Sequence, residues 1–581
     1  MHQFEIRDEF YLDGKTIKII SGGMHYFRIM PEYWRDRLEK LKNMGCNTVE
    51  TYIPWNLHEK EKGQYNFTGI LDIARYVRTA QELGLMVIVR PSPYICGEWE
   101  FGGFPYWLLK EDGMKLRCMY PPYLDHVKEY YEKLFEIIAP LQITQGGPVI
   151  MMQVENEYGY FGNDTNYMEF LKQTMLDCGC EVPLVTSDGP WGNSFECGKI
   201  NGVLQTGNFG SKGKEQFELM RKKIGNKPLM CMEFWVGWFD AWGDKDHQRG
   251  NLEENVKNLD EILSEGHVNI YMFEGGTNFG FTSGSNYYEE LKPDVTSYDY
   301  DALLTEDGRI TDKYKAFREV ISKYTEIPNI ELTTEIKRKA YGTLRVSRKA
   351  GLFENLGNIA RPIENVVPLP MEKLNQGYGY ILYESELVHD QSIEKFRLWG
   401  ANDRAKVYLD EVPVLTLYDR ELLSEHELSD QPENPRKLHI LMENMGRVNF
   451  GPRMEDQRKG INGQVQINGH HQYYWNHYCL SMEDLSGLDF TLPSKENTPA
   501  FYEFTFEIDE TGDTFLDLTG WGKGCVLING FNIGRFWEAG PQKRLYIPAP
   551  VLKKGKNTIL IFETEGKHEE TIALRDEPDL G

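Results

Sequence analysis

The first 325 residues alternate short apolar runs with amphipathic, charge-rich segments, and this alternation constrains the fold more than any other feature. The eight candidate strands are 17–21, 48–52, 86–90, 149–154, 184–187, 203–206, 229–233 and 269–273. Helical patterns occupy most of the intervening segments, at 32–43, 70–83, 123–139, 167–177, 213–223 and 252–265. Three of these end at or near a glycine, as helix C-termini often do. Eight strand–helix units in about 300 residues predict a (β/α)₈ TIM barrel.

A chain of 581 residues is too long for a single hydrophobic core. Beyond about residue 330 the pattern changes to short β-like segments separated by Gly, Asn and Asp turns, which is typical of sandwich domains. We therefore predict an α/β barrel followed by two all-β, jelly-roll-like sandwich domains. The predicted limits are 1–325 for the barrel, 326–374 for a connector or part of a β domain, 375–490 for the first sandwich and 491–581 for the second.

The charge of the chain restricts its partners. Sixty-four Lys and Arg residues against 89 Asp and Glu residues leave a formal net charge of −25. Such a surface repels polyanions, so we expect neither nucleic acid nor a membrane as a partner. No apolar run reaches the roughly 18 residues that a transmembrane helix needs. Oligomeric state cannot be read from the sequence, and a homodimer through the β domains is compatible with it.

The nine cysteines do not form a disulfide framework, because their number is odd and they are scattered through apolar segments. Only Cys178 and Cys180 are closely spaced, and no second Cys/His pair accompanies them at the spacing of metal ligands. We therefore expect no metal and no organic cofactor. The N-terminus is polar and resembles no signal peptide, so we predict a cytoplasmic location.

The segment 146–158 is an apolar run that ends abruptly in two carboxylates and an amide, Glu155, Asn156 and Glu157. The run fits a parallel strand that is covered on both faces. Ionisable groups beside such a buried strand need a charged or hydrogen-bonding partner, or have a functional role. The alternative is that Glu155 and Glu157 cap the strand at the surface.

The ends of the other predicted strands weaken that alternative. In a TIM barrel the active residues lie at the C-terminal ends of the strands. Five of these ends are rich in carboxylates, amides and aromatic rings: 50–55, 90–99, 155–157, 233–235 and 273–278. Polar groups that converge on one rim from several strands indicate an active site rather than charged residues that only cap strands at the surface.

Two carboxylates from opposite sides of such a rim suit glycoside hydrolysis, in which one protonates the leaving oxygen and the other attacks the anomeric carbon. Strands four and seven lie nearly opposite, so Glu157 is the predicted acid and Glu233 the predicted nucleophile. Asn156 can bind the 2-hydroxyl of the sugar. A separation of about 5 Å between the carboxyls would give retention of configuration. Mutual repulsion and unequal environments should keep Glu157 protonated and Glu233 ionised.

The motifs at these positions resemble those of the family 35 glycoside hydrolases, the β-galactosidases of bacteria, plants and animal lysosomes. The matching segments are 146–158, 50–56, 93–99, 271–273 with 275–279, and 296–301. The resemblance covers the whole barrel, and the β-rich remainder agrees with the accessory domains of that family, including a galactose-binding-like jelly roll. It implies Glu157 as the acid/base and Glu233 as the nucleophile.

The resemblance also implies a galactose subsite. Its members would be Tyr52, Cys96, Gly97, Glu98, Asn156, Tyr271 and Tyr298. Glu98 and the backbone around Cys96 would hold the 3- and 4-hydroxyls, and so distinguish the axial 4-hydroxyl of galactose from that of glucose. Simpler alternatives are a salt bridge between Glu98 and Arg90, and a buried, inert thiol at Cys96.

Three tryptophans follow the predicted nucleophile. Trp235 is expected to wall the galactose, and Trp238 and Trp242 to stack on the leaving sugar, although Trp242 could instead pack under an accessory domain. Smaller bacterial members that resemble this chain in domain content favour β-1,3-linked galactose, which suggests Galβ1-3GlcNAc or Galβ1-3GalNAc ends. The loop 447–453 could reach over the barrel mouth and influence that preference, or be an ordinary sandwich loop.

These observations predict a retaining exo-β-galactosidase that acts on β-galactoside oligosaccharides. One alternative is an exo-glycosidase of the same fold for another sugar, a β-glucosaminidase or a β-glucosidase. Tyr52 and the turn 96–98 favour galactose. The other alternative is a catalytically inactive carbohydrate-binding protein, which the presence of both Glu157 and Glu233 disfavours.

Overall fold

The computed structural model describes residues 2–91, 93–333, 335–387, 392–429 and 431–581. Its N-terminal part is a closed barrel of eight parallel strands. The strands are β1 Ile20–Met24, β2 Thr48–Tyr52, β3 Met86–Arg90, β4 Val149–Gln153, β5 Leu184–Asp188, β6 Leu204–Asn208, β7 Met230–Trp235 and β8 His267–Glu274. The predicted TIM barrel is thus confirmed, with β1 beginning three residues later than expected.

The longer helices described around the barrel are α1 Trp34–Asn43, α2 Ile73–Glu82, α3 Pro121–Ile138, α4 Thr165–Asp177, α5 Gly213–Ile224, α6 Leu252–Glu265 and α7 Asp312–Ile321. Between β5 and β6 the described helix is one turn, Ser194–Cys197. Four of the longer helices begin at a side chain that accepts a backbone N–H of the first turn, which is the usual way to satisfy these donors. The capping residues are Asp72, Asp164, Asn251 and Thr311.

Two of the glycines after helices serve different purposes. Gly84, after α2, has φ +69°, a left-handed conformation that side chains other than glycine disfavour. Gly266, after α6, has φ −164°, so its backbone is extended and imposes no such requirement. A Cβ there would lie 2.4 Å from the Leu229 carbonyl oxygen, and the close approach of α6 to the start of β7 and β8 therefore requires glycine.

The N-terminal end of the barrel is closed by a small antiparallel sheet of Phe4–Ile6, Phe10–Leu12 and Lys15–Thr16. Phe10 is fully buried, and its ring lies 4.6 Å from the ring of His267 at the start of β8. His267 also bonds Glu9 at 3.1 Å. This end is sealed by packing, which leaves the opposite end of the barrel open for a site.

The C-terminal half forms two β-sandwiches. In the first, a six-stranded sheet (Ile363–Asn365, Trp475–Leu480, Tyr380–Glu386, Lys437–Glu443, Arg404–Leu409, Val412–Tyr418) shares a core with a four-stranded one (Glu425–Glu427, Lys395–Leu398, Val465–Ile467, His470–His471). In the second, a five-stranded sheet (Arg348–Gly351, Ala500–Ile508, Gly555–Glu563, Lys523–Ile528, Phe531–Trp537) packs on a four-stranded one (Gly342–Arg345, Thr571–Arg575, Thr514–Asp517, Arg544–Ile547). Two all-β sandwiches after the barrel agree with the predicted fold class.

The segment 326–374 contributes strands to both sandwiches. Gly342–Arg345 and Arg348–Gly351 pair with strands of the second sandwich, whereas Ile363–Asn365 pairs with Trp475–Leu480 of the first. The helix Leu352–Ile359 lies between them in sequence and packs in the core that the two sandwiches share. The chain therefore passes from the barrel to the second sandwich, then to the first sandwich, and finally returns to the second. The predicted domain limits themselves stay a prediction.

Buried charges join the first sandwich to the barrel. Arg447 is completely buried and donates to Glu100 of the barrel and to Glu372, each at 2.5 Å. This arginine lies at the start of the loop 447–453, so the ion pairs fix that loop over the barrel.

The nine cysteines are free thiols. Within the described part of the chain, none of the helices has the length and apolar character to cross a membrane.

Candidate active site

A pocket of about 770 Å³, counted with the open space at its mouth, lies at the C-terminal end of the barrel. The lining residues are Tyr52, Cys96, Gly97, Glu98, Asn156, Glu157, Tyr160, Glu233, Trp235, Trp238, Phe239, Tyr271, Asn286, Tyr288, Tyr300 and Phe450. They come from barrel strands and the segments after them, from the hairpin after β8 and from the first sandwich.

Glu233, within β7, is surrounded by hydrogen-bond donors. Its Oε1 accepts from Arg90 Nη2 at 2.6 Å and from the Tyr52 hydroxyl at 2.7 Å, and its Oε2 accepts from the Trp235 indole N–H at 3.0 Å. Arg90 is fully buried at the end of β3 and also faces Glu50 at 3.5 Å. Three donors, one of them cationic, stabilise a negative charge on Glu233 and fix the direction in which its oxygens point.

Glu157, just after β4, has a different environment. Its Oε1 accepts a single described hydrogen bond, 3.0 Å from Asn208 Nδ2, and the donor is neutral. Removal from bulk water and repulsion from Glu233 raise the pKa of Glu157 to about 8, and the Asn208 bond and the charge of Arg90 only partly oppose this. Glu157 therefore holds its proton at neutral pH while Glu233 lies in the same pocket.

The backbone that presents Glu157 is strained. Glu155 and Glu157 have φ values of +57° and +47°, and such left-handed conformations cost non-glycine residues about 1–3 kcal/mol. Glu155 turns away from the pocket into a bidentate pair with Arg117, at 3.0 and 2.8 Å. It is therefore a structural residue that anchors the turn beside the candidate acid.

Asn156 lies between Glu155 and Glu157 in the chain, and hydrogen bonds from its neighbours orient its side chain. Its Oδ1 accepts from Arg90 Nη2 at 2.6 Å and from the Tyr52 hydroxyl at 3.1 Å. Because the oxygen is engaged, the amide NH₂ is the group available to a ligand, and its only described contact is a long one of 3.5 Å to the Ile95 carbonyl. An amide donor at this position can bind a hydroxyl of a ligand in the pocket.

The turn 96–98 forms one wall of the pocket. Cys96, Gly97 and Glu98 have successive φ values of +55°, +59° and +49°. Arg28 Nη2 holds the turn by donating to the Gly97 carbonyl at 2.5 Å, and the Tyr298 hydroxyl donates to Glu98. Burial raises the pKa of Glu98 to about 7, against the opposing effects of the Tyr298 bond and the Arg28 charge. A strained turn that presents a partly compensated acid is typical of a binding site.

The structure brings ten of the twelve predicted site residues to the pocket lining. Tyr298 lies behind the lining, where it bonds Glu98 and its hydroxyl is 3.1 Å from that of Tyr271. Trp242 lies outside the pocket and is only 4% exposed, which differs from the expectation that it stacks on a leaving sugar. Its backbone N–H donates to the Pro293 carbonyl, so the chain has turned away from the mouth before this residue.

The alternatives raised from the sequence can now be compared with the contacts. Arg90 pairs with Glu233 and Glu50, and no described contact joins it to Glu98. Cys96 lines the pocket, and burial raises the pKa of its thiol well above the ordinary value, so it stays neutral. Glu98 is thus left facing the pocket.

Sequence reasoning missed several residues of the site. Asn208 is the last residue of β6, and the rule of polar strand ends would have found it. Tyr300 lies within the motif 296–301, and Phe450 within the loop expected to reach over the mouth. Tyr288 carried no signal, because it lies in a hairpin after β8 (Ser285–Tyr287 with Leu291–Pro293) whose position depends on the sandwich.

A TIM barrel with two carboxyl groups facing one pocket, one held by an arginine and one kept protonated, is the arrangement of a glycoside hydrolase. The family model described as "Glycosyl hydrolases family 35" matches residues 9–324. Models described as "Beta-galactosidase, first all-beta domain" and "Beta-galactosidase, galactose-binding domain" match 368–481 and 499–557. The chain belongs to glycoside hydrolase family 35, and the resemblance noted in its motifs is confirmed.

Relatives match over nearly the full length. "Beta-galactosidase-1-like protein 2" of Homo sapiens is 40% identical over 98% of this chain and 91% of its own length. "Beta-galactosidase 8" of Oryza sativa subsp. japonica is 38% identical over 99% and 94%, and "Beta-galactosidase" of Felis catus is 38% identical over 96% and 87%. The similarity therefore includes the two sandwiches as well as the barrel.

Proposed function

We propose that this glycoside hydrolase is a retaining exo-β-galactosidase, which releases terminal non-reducing β-D-galactose by double displacement. The observation that carries the proposal is the unequal pair of acids in one pocket. Glu233 is surrounded by Arg90, Tyr52 and Trp235, and Glu157 lacks a cationic partner among its described contacts and keeps its proton. An ionised nucleophile and a protonated acid are the two states that the first step needs.

In that step a Glu233 oxygen attacks the anomeric carbon, the glycosidic bond breaks, and the Glu157 proton passes to the departing oxygen. A galactosyl ester on Glu233 remains. In the second step Glu157, now a carboxylate, takes a proton from water while the water oxygen attacks the anomeric carbon, and the ester bond breaks. Both steps use groups of this chain and water, and they require no other reactant.

Asn156 and Glu98 are proposed to recognise the galactose ring. The Asn156 amide would bind the 2-hydroxyl, and that bond strengthens as positive charge develops on the ring in the transition state. Glu98 would accept from the 3- and 4-hydroxyls. A glucose ring carries its 4-hydroxyl on the other face, so the partly buried Glu98 would lose its bond to that hydroxyl, and this loss discriminates better than shape alone.

The aromatic residues around the mouth support a second subsite for the leaving group. Trp238 is 43% exposed and Tyr288 is 71% exposed, and both line the pocket. Phe450, from the first sandwich, also lines the pocket. Exposed rings pack well on the apolar faces of sugars. We propose a β-1,3-linked GlcNAc or GalNAc as the leaving sugar, on the strength of the resemblance to smaller bacterial members.

The decisive experiment compares the initial rates of hydrolysis of the p-nitrophenyl β-galactoside, β-glucoside and β-N-acetylglucosaminide. We expect the galactoside to be hydrolysed fastest. Equal or faster hydrolysis of either other substrate would assign the pocket to another sugar. Absence of turnover on all three, with galactose still binding, would favour a carbohydrate-binding protein.

A second experiment tests retention and the role of Glu233. Azide added to the Glu233→Gly variant should restore cleavage of the aryl galactoside and yield α-galactosyl azide, because azide fills the space of the missing carboxylate on the α face. Formation of the β-azide would contradict the assignment. The cytoplasmic location and the homodimer stay predictions, which cell fractionation and sedimentation would test.

A further inference from the structure

The aromatic wall on the leaving-group side of the pocket is built from two loops. Trp238 and Phe239 come from the segment 236–250 between β7 and α6, and Tyr300 comes from the segment 295–306 after β8. The ring centroid of Trp238 lies 5.2 Å from that of Phe239 and 6.4 Å from that of Tyr300. The shape of the wall therefore depends on how the two loops are held together.

His247 lies between these loops and contacts both. It is only 8% exposed, with Nδ1 2.6 Å from Asp240 Oδ2 and Nε2 3.4 Å from Asp299 Oδ1. Asp240 directly follows Phe239, and Asp299 directly precedes Tyr300. One imidazole ring thus joins two carboxylates, each adjacent in sequence to a ring that lines the pocket.

Each carboxylate in turn orders the backbone of its own loop. Asp240 Oδ1 accepts the N–H of Gln248 at 2.7 Å. Asp299 accepts the N–H groups of Asp301 and Glu306, both at 3.2 Å. A displacement of the imidazole would therefore disturb the backbone on both sides of the wall.

The charge of His247 strengthens this link. Burial lowers the pKa of the imidazole, but the hydrogen bonds and charges of Asp240 and Asp299 outweigh that effect and raise it to about 9. A protonated ring has two N–H donors, one for each carboxylate. The ring therefore contacts both acids at once in neutral solution, through a hydrogen bond to Asp240 and a longer ion pair with Asp299.

We propose that His247 is a positioning residue for the leaving-group subsite. It maintains the subsite by holding the loop that carries Trp238 and Phe239 against the loop that carries Tyr300. The inference rests on the proposed function for the identity of the substrate. His247 touches no atom that reacts. The galactose side of the pocket is anchored separately: the Tyr298 N–H donates to the Gly276 carbonyl at 2.9 Å, and Arg28 lies 3.8 Å from the centroid of the Tyr298 ring.

The test uses the full-length His247→Ala variant and three measurements: kcat/KM for Galβ1-3GlcNAc, kcat/KM for p-nitrophenyl β-galactoside, and the inhibition constant of galactose. Loss of the wall should lower kcat/KM for the disaccharide about tenfold relative to the aryl galactoside, mainly through KM. The inhibition constant of galactose should change less than about twofold, because galactose does not reach the wall. Disaccharide and aryl galactoside affected equally would overturn the inference.

His267→Ala is the matched control, since His267 is another buried histidine paired with an acid, Glu9, at the opposite end of the barrel. It should lower the midpoint of thermal unfolding without changing the ratio between the two substrates. A changed ratio in this control would mean that general destabilisation of the fold, rather than loss of the His247 contacts, alters the preference between the two substrates, and would overturn the inference. If His247→Ala does not fold, His247→Gln, which keeps one donor, takes its place with a smaller effect of the same sign.

Hydrogen exchange separates this inference from the proposed function. In His247→Ala, amide exchange should rise at least several-fold in 236–250 and 299–306, and stay unchanged at Tyr298 and in 96–98. Unchanged exchange in both loops would overturn the inference even in an active enzyme. Failure of the unaltered enzyme to hydrolyse any galactoside would overturn the proposed function alone, because the exchange result would still decide the role of His247.

Discussion

Two regions of the molecule bury acids, and they treat them in opposite ways. At the junction of the barrel with the first sandwich, Glu100 and Glu372 both form ion pairs with Arg447, and all three side chains are fully buried. At the mouth of the barrel, Glu157 has only the neutral Asn208 as a described donor. Glu100 and Glu372, whose charges are compensated by Arg447, hold the two domains together. Glu157, whose charge has no such compensation, lines the pocket and keeps its proton.

The comparison extends inside the pocket. Glu233, like Glu100, has a buried arginine as its partner, but Glu233 lines the pocket at the barrel mouth and Glu100 is not part of that lining. Burial of a carboxylate is therefore a poor sign of function by itself. The combination of one compensated and one uncompensated acid facing the same space is the informative feature.

Glu233→Gln should have the largest effect, because it removes the nucleophile with almost no change in volume. We expect kcat/KM for the aryl galactoside to fall on the order of 10⁴-fold or more, with the circular dichroism spectrum and unfolding midpoint retained. Glu215→Gln, at an exposed position of α5, is the control and should be fully active. Substantial residual turnover in Glu233→Gln would place the nucleophile elsewhere.

Glu157→Gln removes the uncompensated acid. Hydrolysis of the disaccharide should fall about 10²- to 10⁴-fold, and that of the p-nitrophenyl galactoside less, because its leaving group needs no proton. In the unaltered enzyme, first-step activity should decline as the pH rises through the pKa of Glu157, about 8, since only the protonated form acts as the acid. The variant should lack this alkaline decline. An identical pH–kcat/KM profile in both enzymes would contradict the assignment.

Arg447→Met breaks the compensated region and should act on stability. Leaving Glu100 and Glu372 buried without their cation costs about 3–5 kcal/mol, which should appear as a lower urea midpoint with galactose inhibition still measurable. Adding Glu100→Gln and Glu372→Gln should recover part of the loss, because the uncompensated charges are removed. No recovery in the triple variant would mean that packing, rather than charge, holds this junction.

The smallest effect is expected at the tryptophans. Trp238→Ala should raise KM for Galβ1-3GlcNAc several-fold, in line with about 0.5–1.5 kcal/mol for a stacked ring, and leave the galactose inhibition constant unchanged. Trp242→Phe should leave KM for the disaccharide unchanged, since its side chain is buried outside the pocket. The opposite pattern would restore Trp242 as the residue that contacts the leaving sugar.

Much of the pocket could be predicted from the chain. Alternation of strand and helix patterns predicts the barrel, and the barrel rule places active residues at strand ends. Glu157, Glu233 and Asn156 follow from that rule, and all three line the pocket.

Trp242 shows the limit of this reasoning. It lies seven residues beyond Trp235, where β7 ends, and that proximity suggested that its ring faces the mouth. Its backbone instead bonds Pro293, in the hairpin after β8, and the side chain is buried there. A contact between segments about 50 residues apart leaves no local pattern in the sequence.

Arg90 and His247 show the same limit. Arg90 was identified as a strand-end residue, but its pairing with Glu233 rather than with Glu98 depends on how close the ends of β3 and β7 come to each other. His247 carried no sequence signal, because a histidine in a polar loop is unremarkable until Asp240 and Asp299 are found on either side of it.

By itself the sequence determined the barrel, the two sandwiches and the carboxylates at the strand ends, because hydrophobic periodicity and strand polarity are local properties of the chain. The tertiary structure alone decided which acid is compensated and which keeps its proton. It also decided which tryptophan reaches the mouth and how the first sandwich closes the rim. Those properties arise from charges and rings that are distant in the chain and meet only when the barrel closes, so their energies depend on distances that no local pattern encodes.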